Sequence, residues 1–345
     1  MDGRFTDIAT RGSSGETITR EECSYMLRFP ENAQESAFII GLADRILRRR
    51  VDNTAALSVQ IGIQTSPCVG NCRFCNFNRT SNKRGQHFLT DDELSYYIER
   101  AVRYDDVRVI SLMTMQNYDI DHLKHSIGLV KGMVKDDVRI TLNIGDTSYD
   151  DCVELRKAGA TGAYHACRLR EGKDTDLDPE DRWRTMRNFI DAGFILSTCT
   201  EPIGPEHSVD EILDNYYKGL EIGADSGSVM MRVPVEGTPL FSGGSLSMQR
   251  ISQIRATLFI CSLGLGKKES KLDGWKYGYF NGFNRFHAEY GGNPRDSADR
   301  SEDGYGFTIE YARRMAFNRG FDKLLLPDGS VVALDEDYLK RTDSL

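Results

Sequence analysis

The sequence predicts an α/β chain closed into a (β/α)8 barrel of the TIM type, with an N-terminal helical extension and a C-terminal hairpin. Three observations lead there. The length, 345 residues, is long for one ordinary domain but normal for one such barrel. Beyond residue 50, short apolar runs alternate with amphipathic segments of helical length, the pattern of a parallel sheet with helical crossovers. There are enough such units for the sheet to close on itself. The expected boundaries are 1–50 for the extension, 51–322 for the barrel and 323–345 for the hairpin and tail.

In chain order, residues 1–16 are polar and rich in Gly and Ser, and read as a loose start. Thr19 and Glu22 have capping-box spacing and open a short helix to Leu27. Phe38, Ile39, Leu42, Ile46 and Leu47 lie at amphipathic spacing in a second helix over 33–50, and its basic end, Arg48 to Arg50, complements the helix C-terminus. The apolar run 55–65 is the first strand. Further strands are expected over 107–115, 138–144, 162–169, 194–203, 227–234 and 286–290, with the seventh in barrel order within 261–268. Helices are expected over 91–102, 120–134, 149–158, 179–192, 209–222, 247–262, 271–283 and 308–319. Asp328-Gly329 centres a hairpin over 324–334.

Composition excludes several classes of function. The net charge is −8 and basic residues are spread rather than clustered, which argues against nucleic acid. No apolar run reaches the roughly 18–20 residues of a membrane helix. The 8 cysteines are mostly scattered singly and no secretory leader is visible, so reduced thiols and a cytoplasmic location are expected.

The strand at 55–65 leads directly into Thr65-Ser66-Pro67-Cys68-Val69-Gly70-Asn71-Cys72-Arg73-Phe74-Cys75-Asn76-Phe77, a C-x3-C-x2-C spacing. A loop this short wraps three thiolates onto one face of a small metal centre. A cubane iron–sulfur cluster wants four thiolates. The nearest other cysteines, Cys23 and Cys152, are remote in sequence, so one iron would lack a protein ligand and stand open to a small molecule. A zinc site would want a fourth ligand at short range, and none follows Cys75 before His87. A disulfide needs an oxidising compartment.

The loop, including the aromatic Phe74 before its third cysteine, resembles the signature of radical S-adenosylmethionine (SAM) enzymes. The resemblance implies a [4Fe-4S] cluster on Cys68, Cys72 and Cys75, whose open iron binds the amino and carboxylate groups of SAM. Reduction of that cluster cleaves SAM and yields a 5′-deoxyadenosyl radical that abstracts a substrate hydrogen. Over residues 17–325 the chain is similar to the biotin synthase-like branch, which includes biotin synthase, the E-type [FeFe]-hydrogenase maturase, methylornithine synthase and the [Fe]-hydrogenase-associated HmdB. The shared segments are the helix pair opened by Thr19-Arg20-Glu21-Glu22, the cluster loop, Glu236-Gly237-Thr238-Pro239-Leu240 and 286–291.

The same resemblance suggests roles for further residues. Phe77 falls where relatives pack a residue on the adenine, and Phe74 accompanies it in the loop. Thr114 and Gln116 end the second strand, where relatives bind the amino end of SAM with a different Gly-rich or Ser-Gly-Glu-Asp segment. Relatives hold the ribose with a carboxylate at the position of Arg168, so that acid is expected at Glu171 instead. Arg182 matches an arginine that binds the SAM carboxylate, a task suited to a planar guanidinium. Glu201 lies inside a strand end where burial demands a partner, and is read as a contact to SAM or substrate. Arg232 and Arg295, the latter in the Gly-rich loop Glu289-Tyr290-Gly291-Gly292-Asn293-Pro294-Arg295-Asp296, are candidate contacts to an anionic substrate.

In biotin synthase a second, [2Fe-2S] cluster donates sulfur. Its ligand positions fall near Leu112, Leu142, Thr198 and Gly264, none of which matches those ligands, and Cys167 with Cys199 is too small a set. The expected function is therefore reductive cleavage of SAM and hydrogen abstraction from a small polar substrate, in cofactor or metallocentre assembly of the HmdB or maturase kind. An external one-electron donor is implied. Two other readings stand beside it: a sulfur-inserting enzyme of biotin or lipoyl synthase type, and a non-catalytic metal-binding scaffold.

Overall fold

A computed structural model of the chain describes residues 1–65, 68–80, 87–265, 283–296 and 298–343. It opens with three helices, α1 (Gly3–Ser13), α2 (Arg20–Leu27) and α3 (Gln34–Arg50). The loose start expected over 1–16 is instead largely helix. Phe5, Ile8, Ala9 and Gly12 recur at i, i+3, i+4 and i+7 and are buried, while the Asp2 carboxylate caps the helix by accepting from the Phe5 N–H at 2.8 Å. The capping box at Thr19 and Glu22 is present with both of its hydrogen bonds.

The central unit alternates as the sequence predicts: β1 (Thr54–Gly62), the small pair β2 (Gln64–Thr65) and β3 (His87–Phe88), α4 (Asp91–Val102), β4 (Val107–Met113), α5 (Ile120–Met133), β5 (Arg139–Asn143), α6 (Tyr149–Ala158), β6 (Gly162–Tyr164), α7 (Pro179–Asp191), β7 (Ile195–Ile203), α8 (Val209–Glu221), β8 (Ser226–Met231), α9 (Met248–Ser262), β9 (Arg285–Gly291) and α10 (Ile309–Asn318). The strands β9-β1-β4-β5-β6-β7-β8 form one curled parallel sheet in that order. The chain ends with β10 (Lys323–Leu325) and β11 (Val331–Ala333), then α11 (Glu336–Asp343). β10 and β11 are the predicted hairpin, and β10 extends the sheet by pairing parallel to the start of β1.

Two expectations change. The strand expected within 261–268 is not formed at Cys261–Leu265, where α9 ends and runs into a 3-10 turn. The rest of that segment and most of the helix expected over 271–283 lie outside the described residues. The fourth strand, expected to reach 169, stops at Tyr164, so His165 to Leu169 belong to the loop at the sheet's C-terminal edge. Among the described residues nothing joins β8 to β9.

α1, α2 and α3 pack on α9, and one apolar core runs from Phe5 to Leu339. The tail is pinned to it through a buried ion pair. Arg313 donates to both oxygens of Asp106, at 2.7 and 2.9 Å, and the Tyr338 hydroxyl of α11 donates to the same carboxylate at 2.7 Å. Both charged side chains are fully buried. Removing one partner of such a pair strands the other charge, at a cost of about 3–5 kcal/mol. Asp106→Ala is therefore expected to lower the urea midpoint strongly, and Tyr338→Phe to cost about 1 kcal/mol. Equal small effects of the two substitutions would contradict this account of the pair.

Candidate active site

The cysteine loop leaves β1 at the C-terminal edge of the sheet and is held from several sides. It closes on itself through Cys68 N–H to the Phe77 carbonyl at 2.8 Å. Outside the loop, the Val69 N–H donates to Asn117 Oδ1 (3.0 Å) and the Asn71 N–H to Asp176 Oδ1 (2.7 Å). The Arg73 N–H donates to the Asp174 carbonyl (2.9 Å) and the Asn76 N–H to the Pro294 carbonyl (2.9 Å). The Gly-rich segment after β9 thus buttresses the loop. It does so at contact distance, because a Cβ on Gly292 would lie 1.9 Å from Thr65 Cγ2 and 3.4 Å from the Phe77 ring.

Cys68, Cys72 and Cys75 line one cavity that opens at this edge. The Gly70 N–H donates to Cys68 Sγ at 3.4 Å, and the Phe77 N–H to Cys75 Sγ at 3.3 Å. Burial pushes the Cys75 thiol up to about 11, with the Cys68 sulfur adding to the shift, and raises Cys72 further still. Thiolates here therefore call for a cation among them. Among the described residues, the group of His, Cys, Asp and Glu with ligand atoms within 4.8 Å of one another is Asp174, Glu206 and His207. The three loop sulfurs are spread wider than a single tetrahedral zinc, with sulfur about 2.3 Å away, would hold them. An all-thiol set around a larger centre fits a [4Fe-4S] cluster.

The Asp174, Glu206 and His207 group is an ion-pair cluster. Arg232 forks onto both oxygens of Glu206, one of them at 3.0 Å, and donates from Nε to the Gly244 carbonyl at 2.9 Å. Asp174 accepts from Arg73 at 3.2 Å. Arg232 is 1% exposed and paired with these groups, and it also lines the cavity.

Deeper in the mouth, loops after β4, β5 and β6 meet α7. Arg182, 3% exposed near the start of α7, donates from Nη1 to Gln116 Oε1 (2.8 Å) and Asp146 Oδ1 (3.0 Å). The Gln116 amide donates back to Asp146 Oδ2 at 2.6 Å, and His165 Nε2 lies 3.2 Å from Asp146 Oδ1. Burial alone would raise Asp146, but its bonds to His165 and Gln116 and the charge of Arg182 hold it well below the carboxylate range. Burial and the Arg182 charge push His165 down to about 4, so its imidazole is neutral at pH 7. Asp146 and His165 are absent from the sequence reading.

The other expected residues divide. Phe74 and the buried Phe77 line the cavity, as do Thr114, Arg168, Glu201 and Arg295. The Thr114 hydroxyl donates to the Met115 carbonyl (3.1 Å). Arg295 pairs with Glu289 and donates to Asn293 Oδ1. Glu171 is buried but does not line the cavity; it accepts from the Arg168 N–H (2.8 Å) and the Thr175 hydroxyl (2.7 Å) and sits 3.6 Å from Arg182 Nε. It thus braces its own loop.

No protein-family profile matches the chain. It is similar to biotin synthase of Cutibacterium acnes, 26% identical over 245 residues that span 68% of this chain and 67% of that protein. It is likewise similar to biotin synthase 2 of Frankia casuarinae, 24% identical over 266 residues, 74% of this chain and 72% of that one. Among solved structures, methylornithine synthase superposes with a TM-score of 0.74 at 16% identity, covering 91% of this chain and 96% of that one. HydG, a maturase of the [FeFe]-hydrogenase, gives 0.72 at 14% identity, covering 92% and 75%. These last two show the shared fold. With the three-cysteine loop at the mouth of that fold, the chain is a radical SAM enzyme. The two biotin synthases and the shared fold support the biotin synthase-like branch, whose members use a [4Fe-4S] cluster and SAM.

The Asp146 network makes a prediction about acid stability. Its folded carboxyl lies below its unfolded value, so the stability it contributes is complete above about pH 4 and is lost as pH falls below that. Asp146→Asn is expected to cost about 1–3 kcal/mol at pH 7 and to flatten the acid limb of a stability–pH profile. An acid limb identical to wild type would contradict the pairing.

Proposed function

We propose that Cys68, Cys72 and Cys75 hold the cluster and leave one iron position facing the cavity, and that the enzyme cleaves SAM reductively to attack a small polar substrate in cofactor or metallocentre assembly. The observation that carries this reading is the wide spread of three thiols on one cavity wall. When bound, the cluster and SAM supply a 5′-deoxyadenosyl radical. The chain's own task is to place the substrate and keep water away.

Arg182, oriented by Asp146 and Gln116, is positioned for the carboxylate of SAM, and Phe74 and Phe77 offer faces for its adenine. Below them the interior departs from the packed branched side chains usual in such barrels. Asn143 Nδ2 donates to Gln60 Oε1 at 2.9 Å, Ser58 Oγ lies 2.7 Å from His287 Nδ1, and Ser226 donates to Ser197 at 3.2 Å. A polar lumen of this kind suits a small polar substrate.

The named relatives favour a second reading, sulfur insertion of the biotin synthase type. That route needs a second source of sulfide inside the barrel. Beyond the loop, Cys199 is the one cysteine that lines the cavity among the described residues, and Leu112 and Leu142 are apolar and fully buried. The assembly reading is therefore preferred.

With a one-electron reductant under anaerobic conditions, the reconstituted wild type is expected to form 5′-deoxyadenosine from SAM, followed by chromatography and mass spectrometry, and Cys72→Ala to form none. Equal turnover in the variant would sink the proposal.

A further inference from the structure

Most polar groups that face the cavity answer one another, as Asn143 does Gln60 and Ser58 does His287. Arg168 and Glu201 do not. Glu201, on β7, is 6% exposed, and its Oε2 is shut off from water without a hydrogen-bond partner among the described residues. Arg168 lines the same cavity, and its guanidinium makes no hydrogen bond among the described residues. The two face each other with Nε and Oε1 3.9 Å apart, too far for a hydrogen bond. A cation and an anion thus stand side by side, both with unused hydrogen-bonding capacity.

A buried carboxylate oxygen that has lost water without gaining a donor is costly to keep, so a bound molecule is the natural source of that donor. A ligand with a carboxylate alone would suit Arg168 but meet repulsion from Glu201. An amine alone would suit Glu201 and meet repulsion from Arg168. A group with both charges a few ångströms apart satisfies both residues and is selected against its singly charged analogues. The geometry points to Arg168 and Glu201 as a paired reader of an α-amino carboxylate head. This assignment rests on the radical SAM reading and extends it to the class of ligand. Two molecules carry such a head there: SAM, in which case Arg182 serves mainly to hold Gln116 and Asp146, and an amino-acid substrate.

The test uses anaerobically reconstituted protein as wild type, Arg168→Gln and Glu201→Gln. Calorimetric titration with SAM is compared with S-methyl-5′-thioadenosine, which lacks the head. Thermal melting of the SAM-loaded protein is then followed against the common L-amino acids and their decarboxylated amines. If the head is that of SAM, SAM affinity falls at least about tenfold in each variant, the size of one charge-assisted hydrogen bond, while the thioadenosine binds as before. If it is that of a substrate, SAM affinity holds, an amino acid but not its amine raises the wild-type melting temperature, and both variants lose that shift. Equal losses for SAM and the thioadenosine, or no change in any arm, overturn the assignment. Arg168→Lys, which keeps the charge without the fork, repeats each arm if Arg168→Gln does not fold. Failure of the radical SAM reading itself would look different, since the wild type would then bind no cluster iron.

Discussion

Three thiolates cannot share a desolvated loop without a cation between them, and much of the C-terminal edge of the sheet is arranged around that requirement. Burial opposes ionisation of Cys72 and Cys75, so the loop is built to be completed by a positively charged metal centre. Its backbone is fixed by contacts from Asn117, from Asp174 and Asp176 in one loop, and from the segment after β9, three separate parts of the chain. Geometry of that sort sets sulfur positions before any metal arrives, which is what preorganisation of a site requires.

Around the loop, charge is handled in two ways. Arg232 with Glu206 beside the loop, and Arg313 with Asp106 just before β4, are pairs in which a guanidinium forks onto both carboxylate oxygens, and they hold the fold. Arg168 with Glu201 is an open pair at the cavity wall. Asp146, Gln116 and Arg182 stand between these extremes, locked to one another yet still lining the cavity through Gln116 and Arg182. Buried charge left open beside a cavity costs stability, and such compromises gather where ligands bind.

The elements legible in the sequence are those with local signals. α4 and α6 fall at the predicted bounds because Thr90 and Ser148 cap their starts and Gly159, at φ +124°, ends the second. The cysteine loop is legible because its chemistry is contiguous. α1 escaped because four buried positions in a polar, Gly- and Ser-containing stretch make a weak pattern, and only Phe5 and Ile8 are large. Asp146 and His165 escaped for a different reason. They meet because β5 and β6 are neighbours in the sheet, and pairing between loops 19 residues apart leaves no periodic trace. The pairing of Arg232 escaped likewise: Glu206 folds onto it from the loop after β7, and nothing at the strand end signals it.

The central claim is that one open-site cluster sits on Cys68, Cys72 and Cys75. The most direct measurement is iron and acid-labile sulfide per chain after anaerobic reconstitution, in the wild type and in the variant with all three cysteines replaced by alanine. The account predicts about four of each in the wild type and their loss in the variant. Zinc in place of iron, or iron and sulfide that persist in the variant, would contradict it.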